Sequence, residues 1–166
     1  DTLSLNDYEY KVDGKIVDAN IIFKKELENI FLKRKINEFF LSDTILELSL
    51  NKNRGNNLKL EGKYRFDEQD QFKNYLTKYS FKGKQSYLKL NFNFDEEVNF
   101  YFLNYSKKKD VLASISSEIS FSKKNIRIKN FLYKENLSLI NLEGIKLNNK
   151  KELKDFKKIK IKTNKD

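Results

Sequence analysis

Apolar and polar side chains alternate with a period of two along much of this chain, and this alternation limits its fold more than any other feature. The pattern is clearest in residues 46–50, 58–66, 88–94 and 111–121. In an extended strand, alternate side chains point to opposite faces, so each segment predicts one apolar face and one solvated face. Half-solvated strands of this kind are typical of antiparallel sheets.

Short polar segments separate the alternating stretches. They predict turns at residues 53–57, 95–97, 106–110, 123–125 and 134–136. Strands at this close spacing indicate a meander of nine or ten antiparallel strands. Val98–Tyr105 is apolar on both sides and predicts a central strand that is covered on both faces. The predicted fold class is therefore all-β, mainly an antiparallel meander that forms a curled sheet or groove.

One segment departs from the alternation and predicts an amphipathic helix at residues 68–79. Phe72, Tyr75, Leu76 and Tyr79 recur at spacings of three and four residues. Asp67 is suitably placed to cap the N-terminus of such a helix. A weaker pattern of the same kind indicates a second possible helix at residues 24–33, with a strand over residues 31–41 as the alternative.

Three local signals refine the strand prediction. Asp13-Gly14 lies between two apolar stretches and predicts a tight hairpin turn. The alternation changes phase at Asn130, which indicates a bulge or a corner. Near the C-terminus, Ile159 and Ile161 alternate with lysines, so we expect an edge strand at residues 158–162 whose isoleucines face inward and whose lysines guard the open edge.

The length of 166 residues suits a single domain with its own core. Methionine is absent and the sequence begins at Asp1. We therefore expect a processed chain or one segment of a longer protein. An apolar run long enough to span a membrane does not occur in the sequence.

The residue types argue against catalysis. Histidine and cysteine are absent, which excludes Ser-His-Asp and Cys-His arrangements and the usual zinc sites. The five glycines are scattered and form no phosphate-binding loop. The carboxylates near Asp67 fit helix capping better than calcium binding, and residues 95–97 resemble a charged turn. We expect a protein that is not an enzyme and needs neither cofactor nor metal.

The positive charge is concentrated at the C-terminus. Residues 146–166 contain nine lysines and three acidic residues, while the net charge of the whole chain is +10. Lys158, Lys160 and Lys162 are candidates for weak attraction to anionic lipid head groups. Nucleic acid is a disfavoured partner, because the aromatic residues mostly share faces with leucine and isoleucine and not with basic residues.

Two stretches resemble a known repeating unit. Residues 118–133 run from Glu118-Ile-Ser-Phe to Asn130-Phe-Leu-Tyr, and the strand at 138–144 ends in Leu-Glu-Gly. The earlier stretch 36–66 has similar strand spacing. This pattern is similar to the AsmA-like family, which is related to YhdP and TamB. The likeness covers about residues 36–162 and concerns strand spacing more than a sharp motif.

The resemblance implies a segment of a periplasmic protein tethered to the inner membrane through a part absent from this chain. It also implies a non-enzymatic role in lipid transport, in which an apolar groove shields the acyl chains of phospholipid. The alternative is a closed β-sandwich that acts as a structural or protein-interaction module and pairs with neighbouring segments of the parent protein. The residues predicted to line the groove are Leu58, Leu60, Tyr64, Phe66, Leu88, Leu90, Phe92, Phe94, Phe100, Phe102, Ile115, Ile119 and Phe121.

Overall fold

Twelve β-strands make up the regular structure of the described residues. The computed structural model describes residues 8–27, 35–68, 70–100, 104–123, 125–148 and 152–163. The strands are β1 (Glu9–Leu27), β2 (Ile36–Asn51), β3 (Asn56–Arg65), β4 (Lys73–Lys82), β5 (Gln85–Phe94), β6 (Val98–Phe100), β7 (Tyr105–Lys107), β8 (Ala113–Phe121), β9 (Asn125–Glu135), β10 (Ser138–Asn148), β11 (Leu153–Asp155) and β12 (Lys158–Lys162). The all-β prediction is confirmed.

Ten of the strands form one antiparallel sheet in the order β1-β2-β3-β4-β5-β8-β9-β10-β11, with β12 also paired to β10. Neighbours in sequence are neighbours in space, which is the predicted meander. Strands β6 and β7, which lie between β5 and β8 in the sequence, pair with each other as a separate two-stranded hairpin. The sheet does not close on itself among the described residues, because β1 lies at one edge and β11 and β12 lie at the other.

The predicted helix at 68–79 is wrong. Most of that segment is strand β4, which pairs with β3 on one side and β5 on the other. Tyr75, Thr77 and Tyr79 share one face of β4 through a period of two. Leu76, on the opposite face, created the false spacing of three and four. Aromatic and β-branched residues favour strands, and two flanking partners decide the conformation.

Other local predictions also fail. Asp13 and Gly14 lie within β1, where they pair with Glu47 and Leu46, and neither has the positive φ of a tight hairpin turn. No central strand forms in the described part of Val98–Tyr105, because Val98–Phe100 and Tyr105 belong to β6 and β7, which pair with each other outside the main sheet. The second possible helix, predicted at residues 24–33, is also wrong where the structure describes it, because residues 24–27 belong to strand β1. Residues 28–33 lie outside the described residues.

Among the described residues, register shifts occur in four strand pairs, including β8–β9 and β2–β3. Asn130 pairs with Glu118 while Ile128 pairs with Ile119, so β9 carries one extra residue against β8, and the bulge predicted at Asn130 is confirmed. In β2, the register against β3 shifts between Ser42 and Ile45. Asp43 there has a φ of 50°, and the neighbouring Thr44 is completely buried.

The core lies beneath the β6–β7 hairpin. Val98 and Phe100 of the hairpin pack with Phe94, Tyr133 and Ile140 of the main sheet. The ring of Phe100 meets the ring of Tyr133 edge-on at 5.2 Å between centroids. The hairpin therefore acts as a second layer over one end of the sheet.

The C-terminal strand has the predicted bounds of residues 158–162. Ile161 pairs with Ile140 and Ile159 pairs with Leu142, so both isoleucines share the face that carries the core. They remain exposed there, at 42% and 48% of their surface. The lysines that alternate with them lie on the opposite face, at the edge of the sheet.

Two glycines of the sheet should respond to alanine in opposite directions. A Cβ on Gly62 would lie 2.4 Å from Thr44 Oγ1 and 2.6 Å from Thr44 Cα, so the backbone of the bulge must move. We expect Gly62→Ala to lower the free energy of unfolding by about 1–3 kcal/mol. Gly14 has open space around that position, so Gly14→Ala should raise it by about 0.4–1 kcal/mol. Urea unfolding measures both, and equal effects would contradict this account of the bulge.

Candidate binding site on the apolar face

The register aligns apolar side chains into continuous rows on one side of the sheet, here called the apolar face. Paired residues point to the same side, so a row can be followed from strand to strand. One such row crosses eight strands without a charged residue. It consists of Val12, Leu48, Leu58, Tyr79, Leu88, Ile119, Ile128 and Ile145.

The apolar face is covered at one end and open at the other. Phe94, Ala113, Tyr133 and Ile140 are buried under the hairpin. In the row through Leu58 and Leu88, by contrast, none of the eight side chains is buried. The open end of a sheet usually requires a second layer, and the described residues supply none there.

The predicted lining residues divide between these two ends. Phe94 and Phe100 belong to the core under the hairpin and are not available as a surface. Phe102 lies outside the described residues. The residues that are half-buried at the apolar face or beside it are Leu58, Leu60, Phe66, Leu88, Leu90, Phe92, Ile115, Ile119 and Phe121. Tyr64 is buried, and its hydroxyl donates a hydrogen bond to the carbonyl of Asn93 at 2.8 Å.

Three of the predicted residues meet in an apolar hollow of about 190 Å³. Tyr64, Phe66 and Phe92 line it together with Phe39 and Tyr75. The rings of Phe39 and Tyr64 stack with centroids 5.3 Å apart. Neither Phe39 nor Tyr75 is among the predicted lining residues. Tyr75 was missed because the sequence predicted a helix at residues 68–79. The alternation of Tyr75, Thr77 and Tyr79 was the signal that could have identified β4.

Buried charges fasten the covered end. Lys73 Nζ lies 2.6 Å from Asp95 Oδ1 and 3.8 Å from Glu96 Oε1. Lys107 is only 1% exposed, and its Nζ donates to the carbonyls of Glu96 and Lys108 at 2.7 and 3.0 Å. Burial lowers the pKa of Lys107. Because its ammonium donates hydrogen bonds to backbone carbonyls, this lysine stabilises the hairpin and offers no accessible nucleophile.

A tyrosine–carboxylate cluster supports the same end. The Tyr105 and Tyr133 hydroxyls both donate to Glu135 Oε2. Burial is the main cause that raises the pKa of each phenol, and the hydrogen bond to Glu135 raises it further. Phenols with raised pKa values stay protonated near neutral pH, so both remain hydrogen-bond donors, and the bond from Tyr105 to Glu135 links β7 to β9.

The opposite side of the sheet, here called the polar face, carries a depression of about 640 Å³. Lysines and glutamates from neighbouring strands align across it, among them Lys59, Lys78, Lys89 and Glu118. This depression is larger than the apolar hollow. It could not be located from the sequence, because the alignment of charges across strands depends on the pairing register.

Comparisons with known proteins add nothing to this geometry: no protein-family model, curated protein or solved structure matches the chain. Within the described ranges, no helix is long and apolar enough to cross a membrane. The same part of the chain contains no cluster of three or more histidine, cysteine or acidic residues that could hold a metal ion.

Truncating side chains should separate the two ends of the apolar face. Phe94→Ala removes a ring that is 2% exposed and packed under the hairpin, so we expect a loss of about 3–5 kcal/mol in the free energy of unfolding. Leu88→Ala removes a half-buried side chain from the open end, where no covering layer is lost, and should cost about 1 kcal/mol or less. Equal losses in urea unfolding would contradict an open end.

Proposed function

We propose that this chain binds the acyl chains of a lipid along the open end of the apolar face, without enzymatic activity. The observation that carries the proposal is the row of eight apolar side chains that crosses the sheet with none of them buried. Contiguous apolar surfaces of this kind are typical of binding sites. An acyl chain would supply the layer that the described part of the chain lacks.

The chemistry of the face suits an acyl chain. Leucine, isoleucine and aromatic side chains offer no directional polar partner, so affinity would come from removing apolar surface from water. A contact of about 200 Å² would contribute about 5 kcal/mol. The head group would stay in water, and binding would depend little on its identity.

A role in lipid transport follows from the resemblance to AsmA-like proteins. As a proposal, the chain is one segment of such a periplasmic protein tethered to the inner membrane. The outer edges of β1 and of β11 and β12 pair with no other described strand, so neighbouring segments could continue the sheet and the apolar face there. Lys158, Lys160 and Lys162 lie at one edge, where weak attraction to anionic head groups is proposed.

The second candidate function is a structural or protein-interaction module. The exposed apolar residues of β1 favour it, since Val17 and Ile22 are 69% and 71% exposed in a strand whose outer edge pairs with no other described strand. Backbone pairing along this edge would bury them. This alternative predicts self-association that increases with protein concentration and that the double variant Val17→Lys/Ile22→Lys abolishes. It also predicts that the protein binds no lipid.

A charge in the middle of the apolar face should weaken lipid binding. Thr77 lies between Leu60 and Leu90 on that face and is half-buried. The protein can therefore still fold with a lysine at this position, but the ammonium group would lie against the acyl chain. We expect Thr77→Lys to weaken binding of a phospholipid carrying a fluorophore on its acyl chain by about tenfold, a difference of about 1.4 kcal/mol. Fluorescence titration gives the dissociation constants.

The matched control is Leu76→Lys. Leu76 is the next residue of β4, is also half-buried, and lies on the polar face. Its substitution by lysine should leave the affinity unchanged within about twofold. Equal weakening by both variants, or the absence of saturable binding by the unmodified chain, would exclude the apolar face as the lipid site.

A further inference from the structure

We infer that the polar face binds a compact phosphate-bearing anion at Lys78, in the depression of about 640 Å³. The polar face lies opposite to the proposed lipid site, and anion binding there is independent of lipid binding. Its charged residues are arranged in a single cross-strand row.

This charged row begins with acidic residues, continues with three lysines and ends with another acidic residue. Its members pair in register from β1 to β8. In order they are Asp13, Glu47, Lys59, Lys78, Lys89 and Glu118. Like charges that lie directly opposite each other in a sheet are destabilising, and here three occur side by side.

The outer lysines of the triplet are neutralised and the central one is not. Lys59 Nζ lies 2.8 Å from Glu47 Oε1 and 3.1 Å from Glu61 Oε2, and Lys89 Nζ lies 2.9 Å from Glu118 Oε1. Across the described ranges, no carboxylate lies within 4.0 Å of the Lys78 ammonium. An anion beside Lys78 would relieve the repulsion and complete the alternation of charge along the row.

Polar and cationic groups flank the central lysine. Ser80 and Asn57 pair with each other and line the same depression. They lie two residues along their strands from Lys78 and Lys59. Lys129 also lines it, and its Nζ lies 5.6 Å from the ring centroid of Tyr87. Hydroxyl, amide and ammonium groups are the donors that phosphate oxygens accept from.

The acidic ends of the charged row limit the size of the anion. Lys59 and Lys89 stand two strand spacings apart, which is about 10 Å. Glu47 and Glu118 lie one strand further out on each side and repel a long polyanion that crosses the sheet. The depression is also concave, whereas a bilayer surface is flat. These features favour one or two phosphate groups over nucleic acid or an anionic membrane.

Calorimetric titration with inorganic pyrophosphate, at constant ionic strength set with sodium chloride, tests the site. The unmodified chain should bind one pyrophosphate, and Lys78→Gln should weaken this binding about tenfold through the loss of a charge-assisted contact. The matched control is Lys84→Gln, which makes the same charge change at an exposed position in the β4–β5 turn and should leave binding within about twofold. No saturable binding, or equal weakening by both variants, overturns the inference.

Thermal unfolding gives an independent readout of the same variants. Without anion, Lys78→Gln should melt at the same or a higher temperature than the unmodified chain, because it removes a repulsion. Pyrophosphate should raise the melting temperature of the unmodified chain and not that of Lys78→Gln. A lower melting temperature for Lys78→Gln without anion overturns the argument. Stronger Lys78-dependent binding to phosphatidylglycerol vesicles or to a single-stranded oligonucleotide than to pyrophosphate overturns the choice of a compact anion.

Discussion

The cross-strand register is the constraint on which the rest of this structure depends. Because side chains in a strand alternate between two faces, a register shift of one residue would move every leucine of that strand from one face to the other. The observed register instead keeps Leu58, Leu88 and Ile119 in one apolar row, while Lys59, Lys89 and Glu118 form a charged row behind them. Both proposed binding sites are consequences of this single alignment.

The hairpin β6–β7 explains how a sheet that is largely one layer deep can still contain a core. It covers the end of the apolar face at Phe94 and Tyr133 and is fastened by the buried ammonium of Lys107. Such a lysine is costly to bury, and its hydrogen bonds to backbone carbonyls offset that cost. The other end of the face has no covering layer among the described residues, so the residues that stabilise the sheet and the residues proposed to bind lipid lie at different ends of the same surface.

Much of the fold could be predicted from alternation alone, including the meander and the last strand. The helix at 68–79 failed because Leu76 on the polar face of β4 imitated helical spacing, and pairing with two neighbours overrode that local signal. The Asp13-Gly14 turn failed for a related reason, since β2 offers a partner for the whole of β1. The lysine triplet at Lys78 had no sequence signal, because its members become neighbours only through pairing.

Site-specific photo-crosslinking at two adjacent residues of β5 tests the central claim most directly. Leu90 lies on the apolar face and Lys89 on the polar face, so a photoreactive amino acid at each position samples opposite sides at nearly the same place in the sheet. We expect the residue at position 90 to capture phospholipid through its acyl chain and the residue at position 89 not to capture it. Capture at position 89 alone, or equal capture at both, would contradict it.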